Sequence, residues 1–215
     1  MTSQQKTLQP SRELARLTIG VTYFEDPDYL QRQLDLWKTW PAGVDIFLVD
    51  DGSSEYPALD IINENKYTLE EHNPTLQVWK VTRNLGFNSH GCRNLISKYA
   101  TTDAIQFIDL DMLIPPGQVA LLKKVRVDEN KVYHHSCYAH HKQTLIDPPG
   151  HYNTFLIHKD TFNKIQYDES FTGNHYGDRE FLGRLFDSGV EKCNTPVIIE
   201  VHRKGKHGIV SETVD

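Results

Sequence analysis

Two aspartates one residue apart, Asp109 and Asp111, close the apolar run that ends in Phe107-Ile108 and are followed by Pro115-Pro116-Gly117. If Ala104 to Ile108 form a buried strand, the pleat sends both carboxylates to one face and Leu110 to the other, at the strand's C-terminal end. Two neighbouring anions repel unless a cation sits between them. A hard divalent ion with oxygen ligands, Mn²⁺ or Mg²⁺ in character, relieves that repulsion and can grip a diphosphate at the same time. The plain alternative is a strand running out into an acidic surface turn, because short Asp-x-Asp patterns arise by chance.

The elements around the pair decide between these readings. Leu17 to Tyr23 reads as a buried strand, and Asp26-Pro27 as a cap and first residue of a helix whose Tyr29, Leu30, Leu34 and Trp37 recur at helical spacing until Pro41. Val44 to Val49 is a second strand, ending in Asp50-Asp51-Gly52-Ser53-Ser54, and Leu76 to Val81 a third, leading into Arg83-Asn84-Leu85-Gly86. Cys92, Leu95, Ile96 and Tyr99 give one apolar stripe to a helix capped by Asn88 or Ser89. Strands alternating with helices predict an α/β domain with a mostly parallel central sheet and helices on both sides. In such a sheet ligands bind beyond the carboxyl ends of the strands, where three strand ends in turn carry polar, charged loops.

The second half is less regular. Gln118 to Val125 reads as a short helix, Lys131 to Cys137 and Asn153 to His158 as strands, and Lys159 to Asn163 as a helical turn. A helix with Phe181, Leu182, Leu185 and Phe186 on one face runs from near Asp178 to Gly189, and Pro196 to Val201 is a last strand. Met1 to Arg12 is polar and aperiodic, an N-terminal arm (1–12) on a single domain (13–215).

The chain has 215 residues, a net charge of -6, 38% hydrophobic and 24% charged residues, the profile of a globular protein without a general nucleic-acid footprint. No apolar run reaches the roughly 18 residues of a membrane span, and a polar N-terminus is unlike a signal, so the expected location is the cytoplasm of a cell or host cell. Cys92, Cys137 and Cys193 lack a Cys-x-x-Cys spacing and are expected as reduced thiols.

The order Val49-Asp50-Asp51-Gly52-Ser53, Asn84-Leu85-Gly86-Phe87 with Arg93-Asn94, Asp109-Leu110-Asp111, and Gly177-Asp178 opening a helix that contains Arg184 resembles the family 2 glycosyltransferases of GT-A fold. The resemblance implies a single Rossmann-like GT-A domain, with a nucleotide-sugar half at about 13–117 and an acceptor half at about 118–215. It also implies metal dependence and transfer with inversion. Carried over residue by residue, it places Asp51, with Asp50 nearby, on the donor's base, where a carboxylate accepts from a uracil N3–H. Tyr23 and Phe24 begin the nucleotide cleft and can stack on the base, and Arg83 can meet a phosphate or base edge. Asp111 is implied to touch the metal and Asp109 to reach the ribose or the metal through water. His202, after the last strand, is implied as a third metal ligand, with Arg203, Lys204 and Lys206 screening phosphate and His207 a lesser candidate. Asp178 matches the catalytic base, although a residue there can also simply cap its helix.

The expected reaction moves a sugar from a nucleoside diphosphate, UDP being the expected nucleotide, to a hydroxyl on a glycan or other acceptor. The short basic cluster after His202 is the only hint of a nucleic-acid acceptor. His134, His135, His140 and His141 suggest zinc, but adjacent pairs on a strand point to opposite faces, which favours ordinary polar or acceptor-cleft roles. Asn174, His175 and Tyr176 form a loop able to close over donor or acceptor. Two rivals remain. A nucleotidyltransferase of related fold wants a Gly-rich loop with Lys or Arg after the first strand, where Tyr23-Phe24-Glu25-Asp26 stands instead. The other is a nucleotide- or carbohydrate-binding module without turnover.

Overall fold

The computed structural model describes residues 16–65, 74–86, 88–171 and 176–202. The arm at 1–12 and the sequence candidates Asn174, His175, Arg203, Lys204, Lys206 and His207 lie outside the described residues. The first half alternates strand and helix: β1 (Leu17–Tyr23), α1 (Pro27–Trp37), β2 (Val44–Asp50), α2 (Ala58–Glu64), β3 (Thr75–Lys80), α3 (Ser89–Tyr99) and β4 (Ala104–Asp109). The second half continues with β5 (Met112–Leu113), α4 (Pro116–Leu122), β6 (Lys131–Ala139), β7 (Thr144–Ile146), β8 (Phe155–His158), α5 (Lys159–Ile165), a 3₁₀ turn at Glu169–Phe171, α6 (Gly177–Asp187) and β9 (Glu191–Val201). One sheet runs β3-β2-β1-β4-β8-β6-β9-β5, with β7 on β6. Its first four strands are parallel, β8 turns antiparallel against β4 and β6, and β6 and β9 are parallel again.

The pleat sorts the core into two layers. Leu17, Ile19, Val21 and Tyr23 of β1 join α1, α2 and α4 on one face, while Phe47, Val49 and Phe107 join α3, α5 and α6 on the other. Gly20 points to the second face, where a Cβ would stand 2.8 Å from Ile96 Cγ2. A hydrogen there lets α3 lie close to the sheet, and this sets the helix's N-terminal end beside the strand ends.

The expected strands and helices of the first half are present, with α2 as an addition. Its seven residues make only two turns, with Ala58, Ile61 and Ile62 buried and Leu59 exposed, and no side chain caps them. Its first N–H is instead met by Asp50, whose Oδ2 accepts from Ala58 at 2.9 Å. β9 begins five residues before the expected Pro196, because the sheet absorbs the proline in an irregularity. His134 pairs with Asn194 and Ser136 with Ile198, so three residues of β9 face one of β6, and the missing N–H of Pro196 costs no regular ladder bond. α4 starts earlier than Gln118, at Pro116, a residue suited to the first turn.

The turn after β2 is tightly determined. Gly52 has φ +80, and a Cβ there would lie 2.9 Å from the backbone Cα of Asn84. Gly52→Ala is therefore expected to lower unfolding free energy by about 1–3 kcal/mol, read from denaturant or thermal unfolding.

Candidate active site

Strand register sets the acids in place. Tyr23 pairs with Asp50, and Thr22 with Asp109, so the last residues of three parallel strands stand in a row at the carboxyl edge of the sheet. Thr22, Tyr23, Phe24, Asp26, Asp51, Ser89, Asp109, Leu110 and Asp111 line a cavity of about 170 Å³ there. Four of these nine residues are carboxylic acids.

The two acids after β2 do different work. Asp50 is buried, and both its oxygens serve the backbone, Oδ1 accepting from Ser53 N–H at 2.8 Å and Oδ2 from Ala58 N–H. Its carboxylate holds the turn and α2 in place, and it does not line the cavity. Asp51 Oδ2 accepts from Asn88 N–H at 2.6 Å, while its Oδ1 is buried with no partner. Burial pushes the Asp51 carboxyl up to about 6, only partly offset by the Asn88 N–H and the Cys92 thiol. A buried acceptor without a donor is costly, and it fits a ligand N–H.

Tyr23 lines the cavity but is buried, its hydroxyl donating to Tyr56 O at 2.5 Å, while Phe24 beside it is partly exposed. Arg83 is exposed on the loop after β3 and is not among the residues lining this cavity. Glu25, not singled out by the sequence, organises the opposite rim. Its carboxylate accepts from the N–H groups of Ser54, Glu55 and Tyr56. Burial raises its pKa, but those three donors outweigh it and leave the group below its ordinary value.

A second cavity, of about 580 Å³, is lined by Asp109, His151, Tyr152, Asn153, Tyr176, Asp178 and Arg179. Asp109 belongs to both cavities. Asp178 stands in the first turn of α6, where Gly177 lets the helix end approach His90, a Cβ at 177 falling 2.5 Å from His90 Nε2. Tyr176 rather than Asp178 occupies the N-cap, so Asp178 is free of the capping role. Its Oδ1 instead accepts from Arg93 Nη1 at 2.8 Å and from the Tyr167 hydroxyl at 3.0 Å.

Arg93 is the residue that sequence reasoning left without a task. Its guanidinium is 1% exposed and also donates to Asp109 Oδ1 at 2.6 Å, so one cation spans the acid of β4 and the acid of α6. Burial works against its charge, and the Tyr167 hydroxyl, Asp178 and Asp109 outweigh that and raise its pKa above the ordinary value. Tyr167 is buried, with its pKa raised by burial first, so it remains a neutral donor to Asp178. Neighbouring Asn94 clamps the same segment, donating to Tyr167 O at 3.0 Å and accepting from Tyr167 N–H at 2.9 Å. Asn153 donates to Asp109 Oδ2. Arg184, by contrast, is a brace, donating to Ile165 O and Gln166 O, each at 2.8 Å, and pairing with Glu180.

The smaller cavity fits a hard cation. Asp109 and Asp111 offer oxygen atoms only, with Asp26 and Asp51 beside them, so an anionic diphosphate meets repulsion unless positive charge accompanies it. His202 is tied to this edge by its backbone, its N–H donating to Asp111 O at 2.9 Å and its carbonyl accepting from the Tyr29 hydroxyl. The ring of His202 is turned elsewhere, with Nε2 at 3.2 Å from Glu200 Oε2. Among the described residues, the clusters of three potential ligands are His140 with Glu200 and His202, and Glu129 with His158 and Asp160. His134, His135 and His141 enter neither. His135 is held between Thr195 Oγ1 and Gln106 Oε1, each at 2.7 Å, and buried His134 packs near Phe155.

A parallel half-sheet with an acid-lined cleft at its carboxyl edge, continued into a mixed half that carries a second cleft, is the architecture of GT-A glycosyltransferases. A mannosyltransferase from Pyrobaculum calidifontis, solved in complex with GDP-Man and Mn²⁺, superposes with a TM-score of 0.70 at 14% identity, over 90% of this chain and 59% of that one. S. aureus TarS superposes with a TM-score of 0.67 at 15% identity, over 87% of this chain and 37% of that one. A TarS fragment in complex with UDP-GlcNAc gives 0.69 at 16% identity, over 89% and 60%. At such identities the likeness concerns the fold, and the chain spans about 60% or less of the length of these proteins. No curated protein matches the sequence significantly. The sequence profile of glycosyl transferase family 2 matches residues 18–186, and the chain belongs to that family. No helix among the described residues is long and apolar enough to cross a membrane.

Proposed function

We propose that this chain transfers a sugar from a nucleoside diphosphate, UDP being the expected nucleotide, to an acceptor hydroxyl with inversion at the anomeric carbon. The observation that carries this reading is the position of Asp109. It walls both cavities, and through Arg93 it is joined to Asp178 in the larger one. The acceptor hydroxyl enters from the larger cavity and Asp178 takes its proton. Both bonds to Asp178 end on Oδ1, which leaves Oδ2 with lone pairs to offer. The new bond joins the acceptor oxygen to the anomeric carbon as the bond to the diphosphate breaks, its electron pair leaving with the nucleotide. Asp109 and Asp111 would hold a divalent cation, Mn²⁺ or Mg²⁺, whose positive charge stabilises the departing diphosphate. Arg93 and Asn153 fix the direction of the Asp109 carboxylate, and Asp51 Oδ1 accepts from the imino N–H of the base.

Incubation with UDP-sugars and Mn²⁺ tests this. Slow release of UDP without added acceptor is the expected result, and saturable binding with no release would make the chain a binding module.

The Asp51 contact has its own pH signature. Burial pushes the free carboxyl up to about 6, so protonation below that pH would replace a charge-assisted hydrogen bond to the base with a neutral one. Nucleotide affinity is expected to weaken on the order of fivefold between pH 7 and pH 5, measured by calorimetry. Asp51→Asn should show the low-pH affinity throughout. Without nucleotide the sign reverses, because a raised folded-state pKa favours the folded protein at low pH and loses that contribution as pH rises towards about 6.

A further inference from the structure

Next to the backbone bond from His202 N–H to Asp111 O, the ends of β6 and β9 bring three metal-ligating side chains together, none of which lines either cleft. Tyr138 pairs with Glu200 and Ala139 with Val201, so His140 and His202 follow side by side, and His140 N–H donates to Val201 O at 3.2 Å. Both rings turn Nε2 towards one oxygen, Glu200 Oε2, at 3.0 Å from His140 and 3.2 Å from His202. The ring centroids lie 3.9 Å apart with a tilt of 32°. A cation that holds its ligands at about 2.1 Å separates neighbouring donor atoms by roughly 3.0 Å in octahedral and 3.4 Å in tetrahedral geometry. The two separations on Glu200 Oε2 fall within that interval. All three ligand atoms lie within 4.8 Å of one another, with His140 exposed and Glu200 and His202 part-exposed, open to an ion from solvent.

We propose that His140, Glu200 and His202 form a second divalent-cation site, of two imidazoles and one carboxylate, that takes a borderline ion such as Zn²⁺. Its ligand set differs in kind from the oxygen-only Asp109 and Asp111 pair, which favours harder ions. Two neutral imidazoles and one carboxylate suit Zn²⁺ and its spectroscopic substitute Co²⁺ far better than Mg²⁺. An ion there would pin the end of β9 to the turn after β6, and so brace the backbone that holds Asp111 through the His202 N–H. The ligands bind the ion whether or not sugar is transferred, so the site stands apart from the reading of the clefts.

Titration of the full chain with Co²⁺, followed by its visible d–d absorption, tests the assignment without reference to turnover. One equivalent should give a band that equimolar Zn²⁺ removes. The band should vanish in His140→Ala and in Glu200→Gln, and persist in the double variant Asp109→Asn/Asp111→Asn. His140 is exposed and Glu200 part-exposed, so these changes leave the core intact, and circular dichroism with a thermal melt verifies it. A band that survives His140→Ala but is lost in the double aspartate variant would give His202 to the acidic pair and overturn the proposal. No band in the native chain, or one indifferent to both His140→Ala and Glu200→Gln, would overturn it equally.

Discussion

Asp178→Asn is expected to lower turnover by a factor of about 10² or more while leaving affinity for the nucleoside diphosphate nearly unchanged. The asparagine keeps an oxygen to accept from Arg93 and Tyr167, so the local geometry survives. It loses the capacity to take a proton from the acceptor hydroxyl. Single-turnover transfer from a UDP-sugar, set beside UDP calorimetry on the same variant, separates the two quantities. Equal loss of binding and turnover would assign Asp178 to holding α6 and Arg93 in place rather than to proton removal.

The acidic pair should produce a different pattern. In Asp109→Asn/Asp111→Asn, Mn²⁺ is expected no longer to strengthen UDP binding, and turnover should fall on the order of 10³-fold. The shape of both side chains is retained, and Arg93 keeps its bond to Asp178, so the loss reflects charge rather than collapse. Calorimetry of UDP with and without Mn²⁺, in both the native chain and the variant, checks the coupling between ion and nucleotide. If the double variant binds UDP as the native chain does, with the same response to Mn²⁺, the proposed donor site is wrong.

Much of the scaffold can be read from local pattern. The largely apolar, buried runs of Leu17–Tyr23 and Val44–Asp50, the capped helix after Asp26, and the paired acids at the end of β4 all follow from local sequence, because each depends on neighbours in the chain. Arg93 does not. It lies on an amphipathic helix like any polar residue, and its partners are 16 and 85 residues away. The one local hint is that Ser89 to Asn94 is buried all round, a run of small and polar residues that surface-exposed helices do not bury. Asp50 and Asp51 are equally ambiguous in sequence. Asp50 turns its oxygens inward to backbone N–H groups because a helix starts eight residues later, and that helix, seven residues long with no capping side chain, is too short to announce itself. The early start of β9 was hidden by Pro196, which reads as a strand breaker until the bulge opposite it is known.

Arg93 also fixes a length. One planar, fully enclosed guanidinium grips Asp109 on the sheet and Asp178 on α6, so the two carboxylates are held apart by the width of a single side chain. His151, Tyr152, Asn153, Tyr176 and Arg179, the remaining walls of the larger chamber, receive no hydrogen bond from that guanidinium. Substitution of those walls can therefore reshape the larger chamber while the spacing of the two carboxylates stays constant.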